Sequence, residues 1–175
     1  MTLKLGTEIP GTSAEGNITT IWVPAIKNIK APTIIELEAG TDISNYVMLG
    51  GWSFDPSQDV VSDQRENTVQ DFGAPGRKSA GDISIEVIDN TNTEHKEQNE
   101  AVAIMHEGAS GYIVRRRGMA TDAPLASGQK LTVVSVKCGE KKVINPDANT
   151  MIRSQIPLFA QAPGWESETA VLTAA

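Results

Sequence analysis

Four stretches of this chain carry residue types that do chemistry in other proteins, and spacing tests each of them. In Gly73 to Ser79, "GAPGRKS" has the glycines, lysine and serine of a phosphate loop. That loop needs Gly, four residues, then Gly-Lys-Ser/Thr opening a helix, so that successive amides cradle phosphate. Here Arg77 separates Gly76 from Lys78, Pro75 removes an amide donor, and no helical pattern follows. Gly73 to Gly81 reads instead as a long flexible loop carrying two positive charges. Asp55, Asp59 and Asp63 recur every fourth residue, whereas a calcium loop wants ligands at alternate positions, a central glycine and a closing glutamate. They read as solvated carboxylates. His95 and His106 fall at opposite ends of one expected helix and cannot share a metal. Cys138 is the sole cysteine. It can form no intrachain disulfide, and between Val136 and Gly139 it reads as a small residue at a strand end. The sequence contains no Gly-x-Ser-x-Gly elbow. No enzyme, cofactor or metal is expected.

The fourth stretch is "SGYIVRRRG", Ser110 to Gly118, which starts as a strand and ends in three arginines. Alternation puts Ile113, Arg115 and Arg117 on one face and Tyr112, Val114 and Arg116 on the other. The charges therefore cannot converge on one phosphate backbone. An edge strand kept soluble by charge is the plain reading. The sharper one is that an arginine fork pairs with a carboxylate of an adjacent subunit. The acidic turns around Asp42 or Asp55 are the expected partners. Arg115, Arg116, Arg117, Arg77 and Lys78 are the inter-subunit candidates.

Composition limits what these residues can serve. The 175 residues carry 22 acids against 15 Lys and Arg, a formal net charge of -7. Proteins that grip nucleic acid tend to be basic, because phosphate contacts need cations. A net negative chain instead discourages DNA from sticking. No apolar run reaches the roughly 18 residues of a membrane helix, and the first ten residues lack the apolar region of a signal peptide. Synthesis in a cytoplasm is expected.

The elements that would position these residues are mostly short strands. Residues 1–16 are polar and read as an extended arm. In "NITTIWVPAI", Ile18, Thr20 and Trp22 share a face. "PTIIELEAGTDIS" reads as a strand with one polar edge and a turn at Ala39 to Asp42. "NYVMLGGWSFDPS" gives a strand broken by two glycines, with Trp52 and Phe54 on one face. Gln58 to Arg65 is a polar stretch and Thr68 to Phe72 a brief strand. "DISIEVIDN" alternates most clearly: Ile83, Ile85 and Val87 against Ser84 and Glu86. A helix is expected from a Thr93 cap, with Glu94 and Glu97 in its first turn, to Gly108. "QKLTVVSVK" and "NTMIRSQIPLFAQAPG" supply the last strands, and residues 165–175 read as a loose tail. The sum is an antiparallel β-sandwich or barrel over residues 17–164 with one flanking helix.

"APTIIELEAGTDIS" (Ala31 to Ser44), "NEAVAIMHEGASGYIVRRRG" (Asn99 to Gly118) and "GQKLTVVSVKCGE" (Gly128 to Glu140) together resemble the major tail proteins, or tail tube proteins, of long non-contractile-tailed phages, especially those of actinobacterial hosts. The resemblance spans roughly residues 20 to 160 and lies in the order of strands and turns. It implies a virion protein that forms hexameric rings stacked into a tube. The implied partners are further copies of itself, the tape measure protein, and tail terminator and tail tip proteins. DNA would be met only in transit. On that basis Ser84 and Glu86 are the expected lumen-facing residues. Two other readings stay open: a tube protein of a contractile tail or secretion needle, and a small-ligand or carbohydrate-binding β-domain such as a receptor-binding or capsid-decoration module.

Overall fold

The computed structural model describes residues 6 and 9–174. The chain is mainly β, an antiparallel sheet curled into a half-barrel. Its strands are β1 (Ile18–Val23), β2 (Thr41–Asp42), β3 (Val47–Phe54), β4 (Ser57–Asp63), β5 (Phe72–Ser79), β6 (Ile83–Ile88), β7 (Ser110–Arg117), β8 (Lys130–Cys138), β9 (Lys142–Val143) and β10 (Arg153–Val171). Two five-residue helices, α1 (Ile34–Glu38) and α2 (Glu100–Ile104), complete it. The main sheet runs β2-β1-β7-β8-β10-β6-β3, with β9 also paired to β10, while β4 and β5 form a separate two-stranded sheet.

The central strands are buried on both faces. Neighbouring residues of a strand point to opposite sides, and here they enter different cores. Trp22, Ile113 and Val134 join one cluster with Ile83, Ile85, Val87, Ile156 and Leu158. Their neighbours Ile21, Val23, Val114 and Val133 join the other, with Leu131 and Leu172. The first core fills the inside of the curl, where Ala101 of α2 and Met105 just beyond it are buried. The second lies under Leu37 of α1. Each large aliphatic side chain so buried contributes about 1.5–3 kcal/mol, and β1, β7 and β8 each supply large apolar side chains to both cores.

Glycine permits two close approaches that the curl requires. A Cβ on Gly111 would lie 2.5 Å from the Trp22 ring, so this indole packs flat on β7 only because position 111 is bare. A Cβ on Gly51 would sit 2.9 Å from the Glu86 backbone oxygen and Cβ. Gly50, at φ 78°, and Gly51 shift the register of β3 against β6 between Val47 and Trp52. That bulge turns Leu49 out into solvent.

Several expectations from the sequence are corrected. The stretch after Pro32 is a helix, because Thr33 and Glu36 form a reciprocal capping box: Thr33 Oγ1 accepts from the Glu36 amide, and Glu36 accepts from the Thr33 amide at 2.9 Å. Such a cap is worth about 1 kcal/mol, enough to decide a five-residue segment in which Ile35 and Leu37 also fit a strand. The expected long helix shrinks to α2. Thr93 to Gln98 form turns instead, with Thr93 Oγ1 accepting from the His95 amide. Asn99 is drawn away from capping by bonds to the Asn90 amide and the Thr91 hydroxyl. The polar stretch 58–65 and the supposed flexible loop 73–81 are the two arms of one hairpin, β4 and β5. The brief strand expected at 68–72 is mostly its turn. Residues beyond Gly164 are not a loose tail. Trp165 to Val171 continue β10 against β8 across two register shifts, Ala170 and Leu172 are fully buried, and Thr173 bridges to Thr33. The expected arm lies partly outside the described residues, and Ile9 to Gly16 are exposed.

Candidate interaction surfaces

The three arginines of β7 meet three environments, set by which face each leaves and how far it lies from the strand end. Arg116 points to the second core and is buried. Its guanidinium donates to the carbonyls of Ala120, Ala123 and Pro124 at 3.0, 2.9 and 3.2 Å, and to Thr19 Oγ1 and Gln129 Oε1, both at 3.2 Å. A planar fork is suited to this, because its donors fan out in one plane toward acceptors on a single loop. Its bonds to the 120–124 turn fasten that loop to the sheet, so Arg116 is committed within its own chain.

Arg117, at the exposed end, pairs with Glu168 of β10 at 2.5 Å. The Glu168 bond raises the Arg117 pKa, and the Arg117 bond lowers that of Glu168. Both side chains are well exposed, so this contact contributes at most about 1 kcal/mol.

Arg115 faces the inside of the curl near its open end. Its guanidinium lies 5.3 Å from the centre of the Trp52 ring, and Nε donates to Thr20 Oγ1 at 3.2 Å. Trp52 continues into Phe54 and Trp165, each step 6.1 Å between ring centres. This stack links β3 to β10, and Arg115 caps it from β7. Among the described residues, no carboxylate lies within ion-pair distance of Arg115. Burial first, and then the charge of Arg117, lower its pKa to about 10, which leaves it a cation at neutral pH. Arg115 lines a mouth of about 260 Å³ between β1, β7 and the 44–50 segment, with Val47, Met48 and Leu49 on the other side.

The remaining candidates separate. Arg77 and Lys78 are exposed on β5, away from the β7 arginines. Lys78 faces Gln58 across the hairpin root, beside Trp165. Ser84 and Glu86 lie on the face of β6 opposite the first core, as alternation implies, and both are half-buried. Ser84 Oγ accepts from Gln155 Nε2 at 3.1 Å. Glu86 has Arg153 Nε at 3.0 Å, an ion pair without the angle of a hydrogen bond. Asp42 is engaged locally by the amide and hydroxyl of Ser44. Cys138 is buried, and burial pushes its thiol up to about 12, an inert state.

Sequence reasoning missed two features. One is the Arg115–Trp52 contact, although the "WSF" alternation placed both rings on one face. The other is the hairpin. Among the described residues, β4 and β5 pair only with each other, and nearly every residue in them is exposed, including Val60, Val61 and Phe72. Val69 in its turn is fully exposed. Two valines side by side in an otherwise polar stretch were the available signal.

With this geometry in place, comparison with known proteins is informative. A family model described as phage tail tube protein matches residues 7–174. No curated protein matches the chain. Among solved structures, the fold is similar to a chain of the anti-feeding prophage baseplate, 6-fold symmetrised, at TM-score 0.52 and 12% identity, covering 89% of this chain and 94% of that one. It is also similar to a chain from the sheath/tube terminator of an extracellular contractile injection system, PVC, in the extended state. There the TM-score is 0.53 at 12% identity, covering 94% of this chain and 100% of the other. At that identity the two likenesses concern the fold alone.

Proposed function

This chain belongs to the phage tail tube protein family, and on that premise we propose that it is the repeating subunit of a tail tube, six copies to a ring, with rings stacked into a channel. The role is structural rather than catalytic. The observation that carries this reading is the β4–β5 hairpin. A two-stranded ribbon is marginal in water by itself, and this one holds exposed Val60, Val61, Val69 and Phe72 away from both cores. Such a ribbon is unfavourable in a monomer and favourable where a neighbouring copy covers it.

The tube's other partners follow from the same role. A tape measure protein would occupy the channel during assembly, terminator and tip proteins would close its ends, and DNA would pass through without being held. The surfaces that join copies are drawn from the hairpin, its cations Arg77 and Lys78, and the strand end at Arg115 and Arg117.

Negative-stain electron microscopy of the purified chain over a concentration series tests this. Rings or filaments of uniform diameter are expected above a threshold concentration. A chain that stays monomeric up to millimolar concentration overturns the tube reading. It would instead favour a ligand-binding β-domain.

A further inference from the structure

The mouth around Arg115 and the tip of the hairpin carry complementary features that neither satisfies within one chain. At the mouth, a cation is held rigidly by Trp52 and Thr20 without a carboxylate partner among the described residues. Glu15 also lines the mouth but forms no ion pair with it. Beside the cation, the β3 bulge presents Leu49, 71% exposed. At the tip, four acids stand against one base between Asp59 and Asp71. Asp63 is taken by Arg65 in a two-bond pair, and Asp71 accepts from Gln64. Glu66 has no hydrogen bond or ion pair among the described residues, and Val69 three residues on is fully exposed. Each partner thus offers one charge and one apolar side chain. Seven residues of β4, at about 3.3 Å each, carry the tip about 23 Å from the hairpin root. The root follows Phe54, at the end of β3 opposite the Val47–Gly50 segment that lines the mouth.

We propose that the Arg115 mouth is a receptor for the hairpin tip of a second copy, with the Glu66 carboxylate bound by Arg115 and Val69 covering Leu49. This rests on the tube reading above. Trp52 and Thr20 hold the guanidinium through its face and Nε, and its two terminal nitrogens make no hydrogen bond among the described residues, which leaves them for a carboxylate. The contact is heterologous, mouth to tip, and therefore propagates from copy to copy rather than closing in a pair.

Cross-linking between single-cysteine variants tests this. Leu49→Cys and Val69→Cys are purified separately, mixed under assembling conditions and mildly oxidised. The native Cys138 thiol is buried, so it gives little background. A disulfide-linked dimer is expected from the mixture, and none from Val69→Cys mixed with Lys96→Cys on the remote 91–98 turns. In parallel, Glu66→Arg should raise the concentration needed for assembly about tenfold, the effect of one lost charge-assisted bond. Combining it with Arg115→Glu should restore assembly, provided the double variant melts as a folded monomer. If wild-type chain never assembles, the tube reading fails and the receptor with it. If it assembles normally but Leu49→Cys and Val69→Cys do not cross-link, or cross-link no better than the Lys96→Cys control, the receptor alone is overturned.

Discussion

Three consecutive arginines end in three roles because β7 alternates faces and each face meets a different neighbour. The consequence for stability is steep over one residue. Replacing Arg116 with Met keeps much of the packing but leaves the Ala123 carbonyl without a donor, while the Ala120 carbonyl keeps the Ala123 amide and that of Pro124 keeps Gln129 Nε2. A bare acceptor costs about 1–3 kcal/mol where it is shut from water and less where the loop can open, and Thr19 Oγ1 and Gln129 Oε1 also lose a donor. Arg116→Met should therefore destabilise the monomer by about 2 kcal/mol in urea unfolding. Arg117→Ala removes only the exposed Glu168 pair and should cost less than about 1 kcal/mol. Equal effects from the two variants would contradict the separation drawn here. The sequence showed that the arginines split between two faces. It did not show that Arg116 is committed to a loop, because the acceptors are backbone carbonyls, and those have no residue type to read.

At the scale of elements, legibility followed burial. β1, β6, β7 and β8 were readable because at least one face of each is apolar. The hairpin was not, because it buries neither face in a single chain and its order comes from backbone pairing. The end of β10 was not, because two register shifts break the alternation that marks a strand. α1 was not, because a cap of two side chains outweighed a two-residue alternation. Asp89 shows the same dependence on distant partners. It closes β6 by accepting from Ser154 of β10 at 2.6 Å, Lys141 at 2.7 Å and the Thr91 amide at 3.0 Å. Burial alone would raise its pKa, but the bonds from Lys141, Ser154 and Thr91 outweigh that and hold it far below the usual carboxylate range. A depressed folded pKa means the stabilisation is complete above the unfolded value near pH 4 and fades as pH falls toward the folded one. Asp89→Asn should thus cost about 2 kcal/mol at pH 7. The gap to wild type should narrow steadily below about pH 4. A gap that stays constant to pH 2 would show that Asp89 contributes through packing and not through its charge.

For the whole molecule, the tube reading requires one surface to face the proposed channel. The second core covers one side of β1, β7, β8 and the end of β10. It does not extend over β6 and the start of β10, where Ser84, Glu86 and Gln155 lie on that side. The proposed lumen falls there. In a lumen placed there, repulsion by Glu86 would not be what lets DNA slide, because Arg153 neutralises that carboxylate. The reading rests instead on charge balance, Asp82 and Glu86 against Lys142 and Arg153 on this face, in a chain of net charge -7. A polyanion that meets no excess of cations gains little counterion release by staying. Adding cations should change this. Ser84→Arg with Gln155→Arg should make tubes assembled around short duplex DNA retain it at low salt and release it as salt rises, while wild-type tubes retain none. Nuclease then separates inside from outside. Retained DNA that resists digestion places this face in the channel, and retained DNA that is digested at once places it on the outer wall and ends the lumen assignment.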